Sequence, residues 1–196
     1  MHPEDEDAIN AEMLEGLRRN RAYAGFFEWA MDRDLAEYGV VESLAKSLQS
    51  DDALFFSDLA IRGRRNDPPD LEAVDRAGNR MAIEVTELVD GDAIRASEKG
   101  HRRNHAAWGR EKFLSALGDR LAAKNARFDK LKGAPYSGGY VVVMFTDEMF
   151  LPRPTVEEHL KDQTFAGLPN IDRAFLLLSY DPLVKRYPYF ELKKAA

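Results

Sequence analysis

Two carboxylates separated by thirteen residues, Asp70 and Glu84, are the side chains of this chain best placed for chemistry. Asp70 follows Pro68 and Pro69 and opens a short run, Leu71 to Asp75. Ala77, Gly78 and Asn79 then supply a tight turn with residues that tolerate positive φ. Glu84 lies in the centre of a second run, Met81 to Val89, that is otherwise mostly apolar. A β-hairpin built from the two runs sets the carboxylates beside each other. Two carboxylates at close range repel unless a positive charge stands between them, most often a divalent metal ion. The main-chain carbonyl of Val85 could add a third oxygen. Carboxylate-held Mg²⁺ or Mn²⁺ suits phosphodiester hydrolysis, because the ion polarises the phosphoryl group and acidifies a bound water.

The elements that must position this pair can be read from periodicity. Residues from about Asp7 to Ser50 have helical spacing, with Ala11, Leu14 and Leu17, then Phe26, Phe27, Ala30 and Met31, then Val40, Val41, Leu44, Ala45 and Leu48. Gly25 and Gly39 are expected to break this region into separate helices. Ala53 to Ile61 is ambiguous and could be a first strand. In the second run, Met81, Ile83 and Val85 point one way and Ala82, Glu84, Thr86 and Leu88 the other. A long amphipathic helix is expected from about Ala106 to Leu131, burying Phe113, Leu114, Leu117, Leu121 and Phe128. Tyr140 to Thr146 and Ala174 to Tyr180 read as strands buried on both faces. Thr155 to Lys161 fits a short helix capped by Thr155, and Tyr187 to Leu192 a final edge strand. The expected class is α/β, a mixed sheet flanked by helices, with residues 1–50 as an N-terminal helical extension packed on a core of residues 51–196.

Composition bounds the partners. The chain has 196 residues, 44% hydrophobic and 32% charged, which fits an ordinary globular protein. No cysteine is present, so disulfides and thiolate metal sites are excluded. The acidic N-terminus does not read as a signal peptide, and no apolar run reaches membrane-spanning length, so no membrane and a cytoplasmic setting are expected. Net charge is −6, yet from Arg95 to Lys132 eleven lysines and arginines face four acids. That local basic balance and the cluster Arg62, Arg64 and Arg65 flank the carboxylate pair in sequence. Arg64, Arg65, Lys99, Arg102 and Arg103 are therefore candidate nucleic-acid contacts.

The combination of Pro69 and Asp70, thirteen intervening residues, then Glu84, Val85 and Thr86 resembles the PD-(D/E)XK nuclease superfamily. The order of elements from about Val40 to Thr146 resembles that family's core as well: a helix, a three-stranded meander, a crossover helix and a further strand. The resemblance implies a restriction-endonuclease-like fold and a Mg²⁺- or Mn²⁺-dependent nuclease acting on nucleic acid, DNA first. It puts Asp70 and Glu84 on the two metal-binding acids. Thr86 falls where the family has lysine, which is a departure. Either a basic residue of the following helix substitutes, Lys112 before Lys99 or Arg103, or catalysis is lost and the fold binds nucleic acid or a protein partner. Glu42, on the preceding helix, resembles an accessory acid of some relatives.

Plainer readings stand beside these. Asp70 alone is a common turn residue after proline, and Glu84 alone could sit in a buried salt bridge to an arginine. His101 and His105 could share a helical face, but no third zinc ligand has convincing spacing and Arg102 and Arg103 would repel a cation. Trp108 and Phe113 read as core or interface. Gly138 and Gly139 precede a strand and so form a loop, not a phosphate cradle. The aromatic cluster Tyr23, Phe26, Phe27 and Trp29 leaves packing on the core and a homodimer interface both open.

Overall fold

The computed structural model describes residues 32–91, 94–95 and 107–195. The expectations for helices before residue 32, for the aromatic cluster Tyr23 to Trp29, and for Lys99, His101, Arg102, Arg103 and His105 lie outside the described residues.

Three helices and six strands make up the described chain: α1 (Arg33–Ser50), β1 (Phe56–Ile61), β2 (Leu71–Asp75), β3 (Arg80–Glu87), α2 (Arg110–Asn125), β4 (Gly139–Thr146), α3 (Arg153–Leu160), β5 (Arg173–Leu178) and β6 (Tyr189–Glu191). The strands form one open sheet in the order β1-β2-β3-β4-β5-β6. The first three run as an antiparallel meander. A crossover through α2 makes β4 parallel to β3, and β5 is parallel to β4. β6 returns antiparallel to β5. The sheet is therefore mixed, as the sequence predicts. β4 is buried on both faces from Tyr140 to Met144, which explains its unbroken apolar run.

Alternation along the strands divides the interior into two layers. Met81, Ile83 and Val85 share one core with Val141, Val143, Phe175 and Leu177, and α1 covers that face with Val40, Val41, Leu44 and Leu48. Ala82, Leu88, Tyr140, Val142 and Met144 face the other way, under Phe113, Leu117 and Leu121 of α2 and Val156 of α3. Residues 33–50 of the expected N-terminal extension thus share a core with the strands.

Three local expectations are corrected. Gly39 does not break a helix; it lies inside α1, where glycine costs only about 1 kcal/mol relative to alanine. Thr155 is not a cap: α3 starts two residues earlier, after Pro152, with a proline in its first turn. Phe128 is not on the buried stripe of α2, which ends at Asn125; it sits in a 3₁₀ turn and meets the Tyr140 ring.

α1 begins where Asp32 accepts hydrogen bonds from the main-chain N–H groups of Asp34 and Leu35, at 2.9 and 3.3 Å. Asp32→Ala is expected to cost about 1 kcal/mol, read as a lower denaturant midpoint at unchanged slope. An unaltered midpoint would show that this cap is dispensable.

Candidate functional site

β2 is shorter than its partner, and the site lies in the resulting notch. The last ladder pair on this side is Leu71 with Ile83. Pro68 and Pro69 prevent β2 from extending backwards, because proline has no N–H to give the ladder. β3 nevertheless continues to Glu87 along β4. The Val85 N–H, which has lost its strand neighbour, donates instead to Asp70 Oδ2 at 2.7 Å. Asp70 is thus fixed beside β3 and almost fully buried. Glu84, on the α2 side of the strand, is completely buried.

Lys124, near the C-terminal end of α2, fills the space between the acids. Its Nζ donates to Glu84 Oε2 and to the Val85 carbonyl, the latter at 2.8 Å. The same nitrogen stands 3.7 Å from Asp70 Oδ2. Two oxygens from β3 and one from Asp70, in the bend before β2, therefore converge on one ammonium. Glu84 Oε1 is buried and accepts no hydrogen bond; Arg127 Nε lies 3.5 Å away. Arg127 also reaches Asp67 Oδ1 at 3.0 Å and remains partly exposed. From the opposite layer, α1 contributes Arg33, 3.6 Å from Asp70 Oδ1, and Glu37, whose Oε1 accepts from Arg33 Nε at 2.6 Å. Arg33, Asp34, Glu37, Gly63, Arg64, Asp67 and Asp70 line a small cleft beside the pair.

Burial pushes the Glu84 carboxyl upward, against the pull of Lys124. Glu37 is raised further, from 4.5 to about 7, first by burial and then by the Asp70 charge, although Arg33 opposes both. A carboxyl raised in this way binds a proton in the folded state that the unfolded chain releases between the two values. Its contribution to stability is complete below pH 4.5 and is lost as pH rises through about 7. Glu37→Gln fixes the neutral form and removes this dependence. The thermal midpoint of the wild type minus that of the variant is expected to fall across this window, and a constant difference would contradict the assignment.

Of the residues singled out in the sequence, the structure brings Asp70, Glu84 and the Val85 carbonyl together. Arg64 lies at the adjoining cleft, on an exposed 3₁₀ turn with Arg65, whose carbonyl accepts from Lys132. Lys112 is not at the pair: it binds Asp90 at 2.5 Å and lies over the Trp108 ring. Glu42 is also elsewhere, paired with Lys46 at the surface. The reason Lys112 misses is geometric, because α2 runs back along β3. Asp90 lies three residues beyond the end of β3, six residues and, at strand rise, about 20 Å from Glu84. From Lys112 to Lys124 is twelve helical residues, about 18 Å. Hence the start of α2 meets the residues beyond β3, and its end meets Glu84. Lys124 and Glu37 were missed, yet both carry a readable signal. Lys124 falls on the apolar stripe of Phe113, Leu117 and Leu121, and Glu37 on that of Val41, Leu44 and Leu48. A charge in such a stripe is expected to have a buried partner.

The donor chemistry fits a hard divalent ion: two carboxylates and a main-chain carbonyl directed at a single cation position, with one carboxylate oxygen unsatisfied. Among the described residues no group of three or more His, Asp or Glu side chains forms a metal cluster. Also among the described residues, no helix is long and apolar enough to cross a membrane. No protein-family model, no curated protein and no solved structure matches the chain.

Proposed function

We propose that this chain is a divergent metal-dependent nuclease of the PD-(D/E)XK type, hydrolysing phosphodiesters of nucleic acid. The observation that carries the proposal is the convergence of Asp70, Glu84, the Val85 carbonyl and the Lys124 ammonium in the notch between β2 and β3. The order α1, meander, α2, β4 supports the same reading, and a restriction-endonuclease-like core is part of the proposal.

Asp70, Glu84 and the Val85 carbonyl would hold Mg²⁺ or Mn²⁺. Such an ion supplies Lewis-acid polarisation and a water of lowered pKa. The protein's own groups do the rest. Lys124 takes the role that lysine two residues after the strand acid has in the family, here filled from the helix because residue 86 is threonine. Its ammonium can orient a water and offset negative charge developing on phosphoryl oxygens. Arg33 and Arg127, both reaching solvent, can neutralise a phosphate brought to the notch. Glu37, pushed up to about 7 by burial and the Asp70 charge in the metal-free protein, borders the notch. Arg64 and the exposed Lys130 and Lys132 of the turn after α2 suit a polyanion, DNA first.

A second reading is favoured by one specific observation: Lys124 already pairs with both acids, as a structural ion pair would. On that reading the fold binds nucleic acid or a protein partner without cleavage. The deciding assay incubates the protein with single- and double-stranded DNA and RNA, with Mg²⁺ or Mn²⁺. Cleavage that disappears in Asp70→Ala with Glu84→Ala supports the nuclease. Cleavage that survives this double change refutes it, and no cleavage with any divalent ion favours the binding reading.

A further inference from the structure

We propose that the Lys124 ammonium is the resident occupant of the cation position between Asp70, Glu84 and the Val85 carbonyl, and that a divalent ion enters by displacing it. This rests on the metal-binding part of the function proposed above.

Three oxygens, Glu84 Oε2, the Val85 carbonyl and Asp70 Oδ2, converge on Lys124 Nζ. A dication sharing these oxygens with the ammonium would stand within a few ångströms of it, in a setting where both acids are buried and solvent screens little. The two cations therefore cannot occupy that position together. The charges around the notch point the same way. Glu37, Asp67, Asp70 and Glu84 are faced by Arg33, Lys124 and Arg127, so the free protein is close to neutral there. A dication added without displacement would make the buried position cationic, whereas exchange for the ammonium raises its charge by one unit only.

The structure also provides for the exchange as a movement of the side chain alone. The backbone at the end of α2 is anchored: the Tyr140 hydroxyl donates to the Lys124 carbonyl at 3.1 Å, and the Asn170 side-chain amide donates to the Asn125 carbonyl at 3.2 Å. The lysine stem has four rotatable carbons. Arg127, one turn further on, is partly exposed and paired with Asp67, so the end of α2 borders solvent. A displaced ammonium at the mouth would meet a phosphate brought to the notch. Metal and phosphate then bind with positive coupling: each favours the state with Lys124 turned outward.

Titrating Mg²⁺ into the protein by calorimetry, the affinity of Lys124→Met is expected to exceed that of the wild type at least tenfold. Equal affinities overturn the proposal and leave the nuclease reading standing. Because the variant strands a buried Glu84 and could lose its fold, a second measurement uses the wild type. Reductive methylation mapped by mass spectrometry is expected to spare Lys124 without metal and to modify it when Mg²⁺ is present, while the exposed Lys46 reacts equally in both. If Lys124 stays protected although calorimetry shows Mg²⁺ bound, the proposal is wrong. If Mg²⁺ binds neither protein, the proposal and the metal-dependent reading fall together. If Lys124 becomes reactive with Mg²⁺ but no phosphodiester is cleaved, the exchange is right and the nuclease assignment is not.

Discussion

Lys124→Met is expected to lower the free energy of unfolding by about 3–5 kcal/mol, and Glu84→Leu in the same chain to recover most of that loss. Glu84 is completely buried and Lys124 nearly so. Removing the lysine leaves a carboxylate in the interior with Arg127 Nε at 3.5 Å as its remaining cation. An uncompensated buried charge is among the few single changes that cost this much. Replacing both partners with apolar side chains removes the desolvation penalty along with the attraction, so the double variant should lie near the wild type. Denaturant titration of the two single variants and the double variant measures the coupling. If Lys124→Met costs under about 1 kcal/mol, the ammonium is not the counter-charge of Glu84.

Asp70→Asn is expected to reduce phosphodiester cleavage by on the order of 10²–10³-fold while leaving the fold intact. Asp70 has two separable duties. Its oxygen accepts the Val85 N–H at 2.7 Å, which an asparagine carbonyl can also do. On the proposed function its negative charge would help to hold a metal ion, which an amide does poorly. The substitution therefore keeps the strand geometry and removes the electrostatics. The readouts are the initial rate on a short labelled DNA with Mg²⁺, and the thermal midpoint, expected within a few degrees of the wild type. Lys112→Ala serves as control, since Lys112 binds Asp90 away from the notch. Undiminished cleavage by Asp70→Asn, or an equal loss in Lys112→Ala, would dissociate the activity from this site.

The strands were legible because burial writes itself directly into their residues. β2 matches its expected bounds, and β4 reads as the continuous apolar segment that two-sided burial requires. The pairing of Asp70 with Glu84 was legible for the same reason: a hairpin with a short turn fixes register, and alternation fixes the face. The lysine was not. A sequence gives the period of α2 but not its height above the strand, and the rise per residue differs about twofold between the two elements. Choosing Lys112 placed the start of the helix against Glu84, whereas the crossover places its end there. Similarly, Glu42 is an acid on the right helix, but position on a helix does not by itself fix the face. It lies on the outer face with Lys46, whereas Glu37 is one turn before Val41 on the inner face. In both cases the buried-face pattern held the better answer, but only a contradiction within it, a charge among apolar residues, would have disclosed it.

The notch in the sheet has a mechanical meaning as well. Elsewhere the sheet keeps the layer under α1 apart from the layer under α2 and α3. At Asp70 the partition is open, and Arg33 from one layer and Lys124 from the other grip the same carboxylate. One short side chain is thus a latch between the two layers, in addition to the strands they share. Whatever loads that latch will pull on both layers at once, so α1 and α2 cannot respond to a bound ligand independently.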